Sequence, residues 1–170
     1  DPYQLSGGKP ADVILITHSH FDHLSIDDVK KIVQEKTVIV CSKDCVEQVT
    51  PLVHRVIGMD PFERAEIGDI FVESVPAYNI DKEFHPKENN WNGYIVAIGG
   101  SRYYHTGDTD KIPEMKEVQT DIALLPVGGT YTMNYREAAE AVELIDPAYA
   151  IPMHYGSIVG TDSDAQKFVD

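Results

Sequence analysis

Residues 17–25 read THSHFDHLS, directly after the apolar run VILI. His18, His20, Asp22 and His23 fall within six positions. Polar side chains at the end of a buried strand are costly unless something engages them. His18 and His20 are two apart, so on an extended backbone they point to the same side, while Asp22 and His23 follow where the chain turns. One short loop thus offers donors in two directions: the alternate histidines to one divalent cation, the Asp-His pair to a second. Imidazole and carboxylate suit zinc, iron and manganese and require no thiolate. A merely solvated polar loop is the competing reading, and four such residues in six positions after an apolar strand weigh against it.

Further donors must come from elsewhere in the chain. YYHTGDTD places Asp108 just past a strand, with Gly107 giving the backbone room to approach. AIPMHYG places His154 past another apolar strand. A GD turn or a lone histidine is usually structural; beside the first cluster the two complete a ligand set. His105 reads as a supporting or packed residue and His54 as a structural histidine. Cys41 and Cys45 have no second pair and read as packing along a strand-helix junction. Tyr131, Tyr135 and Tyr155 are pocket or core-boundary residues. VGGTYT (127–132) is a strand-helix turn or a source of backbone donors.

The elements that position these residues follow from periodicity. DVILIT (12–17) is a strand covered on both faces. Ser25 caps a helix with Asp28 in the capping-box position, and Ile26, Val29, Ile32 and Val33 share its apolar face. TVIVC (37–41) is the next strand, and KDCVEQVTPLV begins as a helix ending near Thr50-Pro51. Residues 70–78 alternate like a half-buried strand, and 92–100 and 101–106 form a hairpin at Gly99-Gly100. DIALLPV, NYREAAEAVELI, AYAIPMH and DAQKFV then alternate strand and helix. Asn134 caps the long helix with Glu137, and Ala138, Ala139, Val142 and Ile145 form its buried stripe.

The chain has 170 residues, 42% hydrophobic and 25% charged, a globular composition with room for one domain. Its net charge of −14 repels nucleic-acid backbones and anionic lipid unless Lys82, Lys87 and Lys111 cluster, and part of that charge is a metal site in need of cations. No apolar run reaches membrane-spanning length and no secretory leader is read at the start. Two cysteines make a poor disulfide framework and point to the cytoplasm.

THSHFDH resembles the HxHxDH motif of the metallo-β-lactamase superfamily, and Asp108 and His154 match its later aspartate and last histidine. The likeness covers nearly the whole chain and is nearest to small stand-alone Zn-dependent hydrolases of the ascorbate-6-phosphate lactonase-like kind. It implies an α/β (α+β) fold, a four-layer αββα sandwich in one domain over residues 1–170, lacking N-terminal strands and a C-terminal end. It implies two zinc ions, with manganese or iron as alternatives, on His18, His20, Asp22, His23, Asp108 and His154. Asp22 would also accept a proton and Asp108 would bridge, while Asp1 would support from behind. The expected activity is hydrolysis of a phosphodiester, lactone or similar ester of a small molecule by water activated at the metals.

One position departs from the pattern. The isolated histidine expected after VPAY is Asn79 here. Either Asn79 offers a weak amide oxygen, or His85 in FHPK reaches back as the replacement ligand, or His85 and Lys87 contact substrate from a mobile lid. Asn79 also motivates an alternative function, a mononuclear or non-catalytic metal-binding or sensory module. Flavodiiron chemistry is discounted, because the flavin domain and the glutamate of that branch's first motif are absent. An unpaired sheet edge would allow a homo-oligomer.

Overall fold

The computed structural model describes all of residues 1–170. Two sheets face each other. The first is parallel, β1 (Val13–Ile16), β2 (Val38–Ser42) and β3 (Arg55–Met59), in the order β1-β2-β3. The second runs β4 (Arg64–Ile67), β5 (Ile70–Pro76), β6 (Asn92–Ile98), β7 (Ser101–His105), β8 (Ile122–Pro126) and β9 (Tyr149–Met153), in sequence order. β4 to β7 pair antiparallel and β7 to β9 parallel, so β5, β7, β8 and β9 share one direction. Helices α1 (Ile26–Ile32) and α2 (Val46–Val49) belong to the first half, α3 (Tyr135–Ile145) and α4 (Asp162–Val169) to the second.

Period-two patterning builds three cores. Ile14, Ile16, Ile39 and Cys41 turn toward Val29 of α1 and Val49 of α2. Val40 and Met59 turn the other way, toward Val72 and Tyr94 of the second sheet. On that sheet's far face, Ile95, Tyr104 and Leu125 pack with Ala138, Ala141 and Ile145 of α3 and Ala165 of α4. The layers are therefore helix, sheet, sheet, helix. Cys41 and Cys45 are free and fully buried within the first core.

Several expectations shift in detail. Asn134 and Glu137 form the capping box, but Ala139 is exposed and Ala141 takes its place in the buried stripe at the i, i+3, i+4, i+7 spacing. Ser25 caps α1, yet the Ser25 backbone N–H donates to Pro2 O at 3.3 Å rather than to Asp28; the Asp28 carboxylate accepts the backbone N–H groups of Gln4 (2.8 Å) and Leu5 (3.1 Å), tying the first residues down. His54 is exposed rather than structural. Strands β3 and β4 lack a clear apolar alternation and were not expected. Lys82 and Lys87 line one cavity beside Asn79 but Lys111 does not join them, and the three pair separately with Asp110, Glu114 and Glu140.

Polar ties lock the two sheets together beside the first loop. Asn92 Nδ2, fully buried, donates to Met59 O and to Ser42 Oγ, both at 2.8 Å, and Tyr94 Oη donates to Ile16 O at 3.0 Å. Asn92→Ala leaves a buried carbonyl and a hydroxyl without this donor. It should cost about 1–3 kcal/mol in urea unfolding.

Candidate metal centre

The donors arise where strands end on one edge. His18 to His23 follow β1, Asn79 to His85 follow β5, Asp108 follows β7 and His154 follows β9. In α/β folds the carboxyl ends of strands are where ligands gather. The first loop closes on itself, with the N–H groups of His23 (3.0 Å) and Leu24 (2.8 Å) both donating to His20 O. This turn separates the direction of His18 and His20 from that of Asp22 and His23.

Two donor groups result. His18, His20 and His85 form one, and Asp22, His23, Asp108 and His154 form the other; within each, the ligand atoms lie within 4.8 Å of one another. In the first, His18 Nε2 faces His20 Nδ1 at 3.0 Å. The groups meet at Asp108. Its Oδ2 is 3.3 Å from the Nε2 atoms of His23, His85 and His154. Asp22 Oδ2 stands 3.4 Å from Nε2 of both His23 and His154.

His85 thus groups with His18 and His20, and Asn79 is its holder. Asn79 Oδ1 accepts from the His85 backbone N–H and from His85 Nδ1, each at 3.0 Å, while Asn79 N donates to His85 O at 2.7 Å. Asn79 Nδ2 donates to Tyr131 O at 2.9 Å. The weak amide ligand expected of Asn79 does not fit this arrangement, because its oxygen is already engaged. Nor is His85 exposed on a lid: it is buried, its Nε2 turned toward Asp108.

Three of the imidazoles, His18, His23 and His85, are oriented from behind, which fixes the nitrogen each leaves for a ligand. His23 Nδ1 lies 2.9 Å from Asp1 Oδ2, and the same carboxylate accepts Thr17 N (2.7 Å) and Thr17 Oγ1 (2.9 Å). Thr17 Oγ1 is in turn 3.0 Å from His18 Nδ1. His105 Nδ1 accepts Gly107 N–H at 3.2 Å and its Nε2 faces Asp1 at 3.8 Å, a supporting position rather than a ligating one. Trp91, the only tryptophan, has its ring centroid 4.7 Å from those of both His18 and His20 and donates Nε1–H to Asp44 at 2.7 Å. Thr17 and Trp91 carried no recognisable signal in the sequence.

Backbone geometry brings the loops close. Gly107 has φ +65°, and a Cβ there would lie 2.9 Å from Asn92 O and 3.2 Å from Thr17 Cβ. Gly128, in VGGTYT, passes so close to His154 that a Cβ would lie 2.5 Å from His154 O. That turn shapes the His154 loop rather than offering donors. His154 itself is left-handed at φ +55°, a strained conformation for a non-glycine residue.

A divalent cation fits these residues. His23 Nε2, His85 Nε2 and Asp108 Oδ1 are buried with no hydrogen-bond partner, although buried polar atoms are rarely left so. Without thiolates, the donor set suits zinc, manganese or iron. Burial, together with neighbouring histidines, holds the His18 ring well below its ordinary value, and burial also lowers His20, so both are neutral and ready to bind. Burial lowers His23 too, but Asp108 and Asp22 outweigh it and raise the ring to about 9. Burial opposes ionisation of both carboxylates. His154 and His23 nonetheless hold Asp22 well below the usual carboxylate range, and His23 and His85 do the same for Asp108.

The sign for His23 follows. In metal-free protein its raised value stabilises the fold below about pH 6.5 and the contribution fades as pH rises through about 9. A cation bound at Asp22, His23, Asp108 and His154 must displace that proton. Loading this group at pH 7 should release about one proton from His23, and the release should vanish above about pH 10. Calorimetry in buffers of different ionisation enthalpy reads this directly; release that does not change with pH contradicts it.

The model of the Beta-lactamase superfamily domain matches residues 2–155. The UPF0173 metal-dependent hydrolase of Pyrococcus horikoshii is 36% identical over 168 residues, covering 94% of this chain and 73% of its own length. That of Carboxydothermus hydrogenoformans is 35% identical over 170 residues, covering 94% and 74%. Among solved structures, Igni18, a metallo hydrolase from Ignicoccus hospitalis, is 26% identical with TM-score 0.73, covering 93% of this chain and 71% of that one. With the HxHxDH loop, the paired donor groups and the layered sheets, these likenesses place the chain in the metallo-β-lactamase superfamily, among its small stand-alone metal-dependent hydrolases.

Proposed function

We propose that this metal-dependent hydrolase works with two divalent cations, zinc foremost, and cleaves a small ester-like molecule: a phosphodiester, a lactone or a similar ester. One observation carries the reading. Seven donors fall into two groups, and one carboxylate, Asp108, reaches both. His18, His20 and His85 would hold one cation, with Asp22, His23 and His154 holding the second and Asp108 between them. When bound, such cations supply a nucleophile from water at neutral pH and neutralise charge developing on the substrate.

The chain's own residues supply the rest. Asp22 stands beside His23 and His154, placed to take a proton from water and return it to the departing oxygen. Asp1 and Asn79 fix the rings of His23 and His85, so the donors need little reorganisation. The reading as a mononuclear or sensory module rested on Asn79, and the nearness of His85 to His18 and His20 weighs against it. Free, buried Cys41 and Cys45 support a reducing, cytoplasmic setting, and no helix is long and apolar enough to cross a membrane.

Elemental analysis should find about two zinc, manganese or iron per chain, and a chelator should abolish ester hydrolysis until metal is restored. His85→Ala should bring the count to about one. Asn79→Ala should weaken binding at the first group by about 10–100-fold, read as a shifted Trp91 fluorescence titration. One metal per chain in the unaltered protein, or activity indifferent to chelation, contradicts the proposal.

A further inference from the structure

Resting on the hydrolase reading, we infer that the substrate is an uncharged carboxylic ester or lactone carrying an apolar substituent, and that Phe21, Tyr3, Tyr155 and Ile158 receive that substituent. A cleft of about 120 Å³ contains Asp22 and His154. Its other walls are Tyr3, Tyr155, Ser157, Ile158 and Val159, with no lysine or arginine. Tyr3 continues it outward, its ring meeting Phe21 edge-on at 5.9 Å.

Exposure singles these residues out. Phe21, set between His20 and Asp22, is 68% exposed, and Ile158 is 41% exposed. Phe84, next to His85, is 48% exposed on the opposite flank, its ring 4.6 Å from that of Tyr131. A single exposed apolar side chain needs no explanation, but apolar side chains adjoining the donors at three loops make a binding surface. They leave the mouth of an otherwise polar centre apolar.

Charge favours the same substrate. Many sites that transfer phosphoryl groups add cationic side chains to the metal's charge. Here Lys82, Lys87 and Lys111 are each engaged by a carboxylate, and the cleft's own charged wall is Asp22. A phosphodiester would find no cationic side chain in this cleft to hold its charge beyond the cations themselves. An ester or lactone carbonyl brings no charge until the reaction begins. In the reaction, water oxygen bonds to the carbonyl carbon and the acyl C–O bond breaks. One water proton passes by way of Asp22 to the departing alcohol oxygen, and the acid loses the other.

The test uses the metal-loaded chain with p-nitrophenyl acetate, butyrate and octanoate, γ-lactones of increasing alkyl length, and bis(p-nitrophenyl) phosphate. kcat/KM should rise about tenfold or more from the shortest to the longest member of each carboxylic series. Phe21→Ala and Ile158→Ala, checked for metal content, should each reduce the octanoate-to-acetate ratio about fivefold or more. A flat series, an unchanged ratio in both variants, or turnover of the phosphodiester alone overturns the inference while leaving the hydrolase reading intact. No turnover of any of these compounds contradicts both.

Discussion

A single buried carboxylate organises this protein. Asp108 Oδ2 is 3.3 Å from three imidazole nitrogens that reach it from three different loops. A buried anion is costly unless something pairs with it, and around this one stand the rings of His23, His85 and His154. Those rings in turn present lone pairs and unpartnered nitrogens that protein groups alone do not satisfy. Divalent cations held by these rings and carboxylates would answer both deficits at once.

The rest of the fold supports that convergence. β5, β7 and β9 share a direction, so the loops after them open on one edge, and β1 of the other sheet contributes the fourth loop beside them. Asn92 and Tyr94 fasten the sheets just behind the site, and Gly107 lets the Asp108 loop pass close to Asn92 and Thr17. Asp1 and Asn79 then set the rings to within hydrogen-bond geometry. The apolar cores position the donors to a few ångströms; the polar contacts behind them determine which nitrogen faces inward.

Most of this was legible in residue order, for identifiable reasons. Strong periodicity marked β1, β2, the hairpin of β6 and β7, and α3 with its Asn134–Glu137 cap. β3 and β4 escaped because RVIGM and RAEI are short and carry charged or glycine residues where alternation would show. The cluster from His18 to His23 was readable because its spacing is local. His85 was harder: its place opposite His18 and His20 depends on how a loop folds back onto Asn79, which no linear spacing encodes. The same holds for Trp91 and Thr17, which matter only through what the fold places beside them. Ala139 and Ala141 illustrate a finer limit, since alanines on adjacent faces of a helix are told apart only by the packing surface they meet.

The central claim is that two cations share Asp108. The most direct measurement is an anomalous-difference map from crystals of the zinc-loaded protein, collected above and below the metal edge. The account predicts two peaks, one among His18, His20 and His85 and one among Asp22, His23 and His154, both within coordination distance of the Asp108 carboxylate. A single peak, or a second peak held without His85 or Asp108, would contradict it.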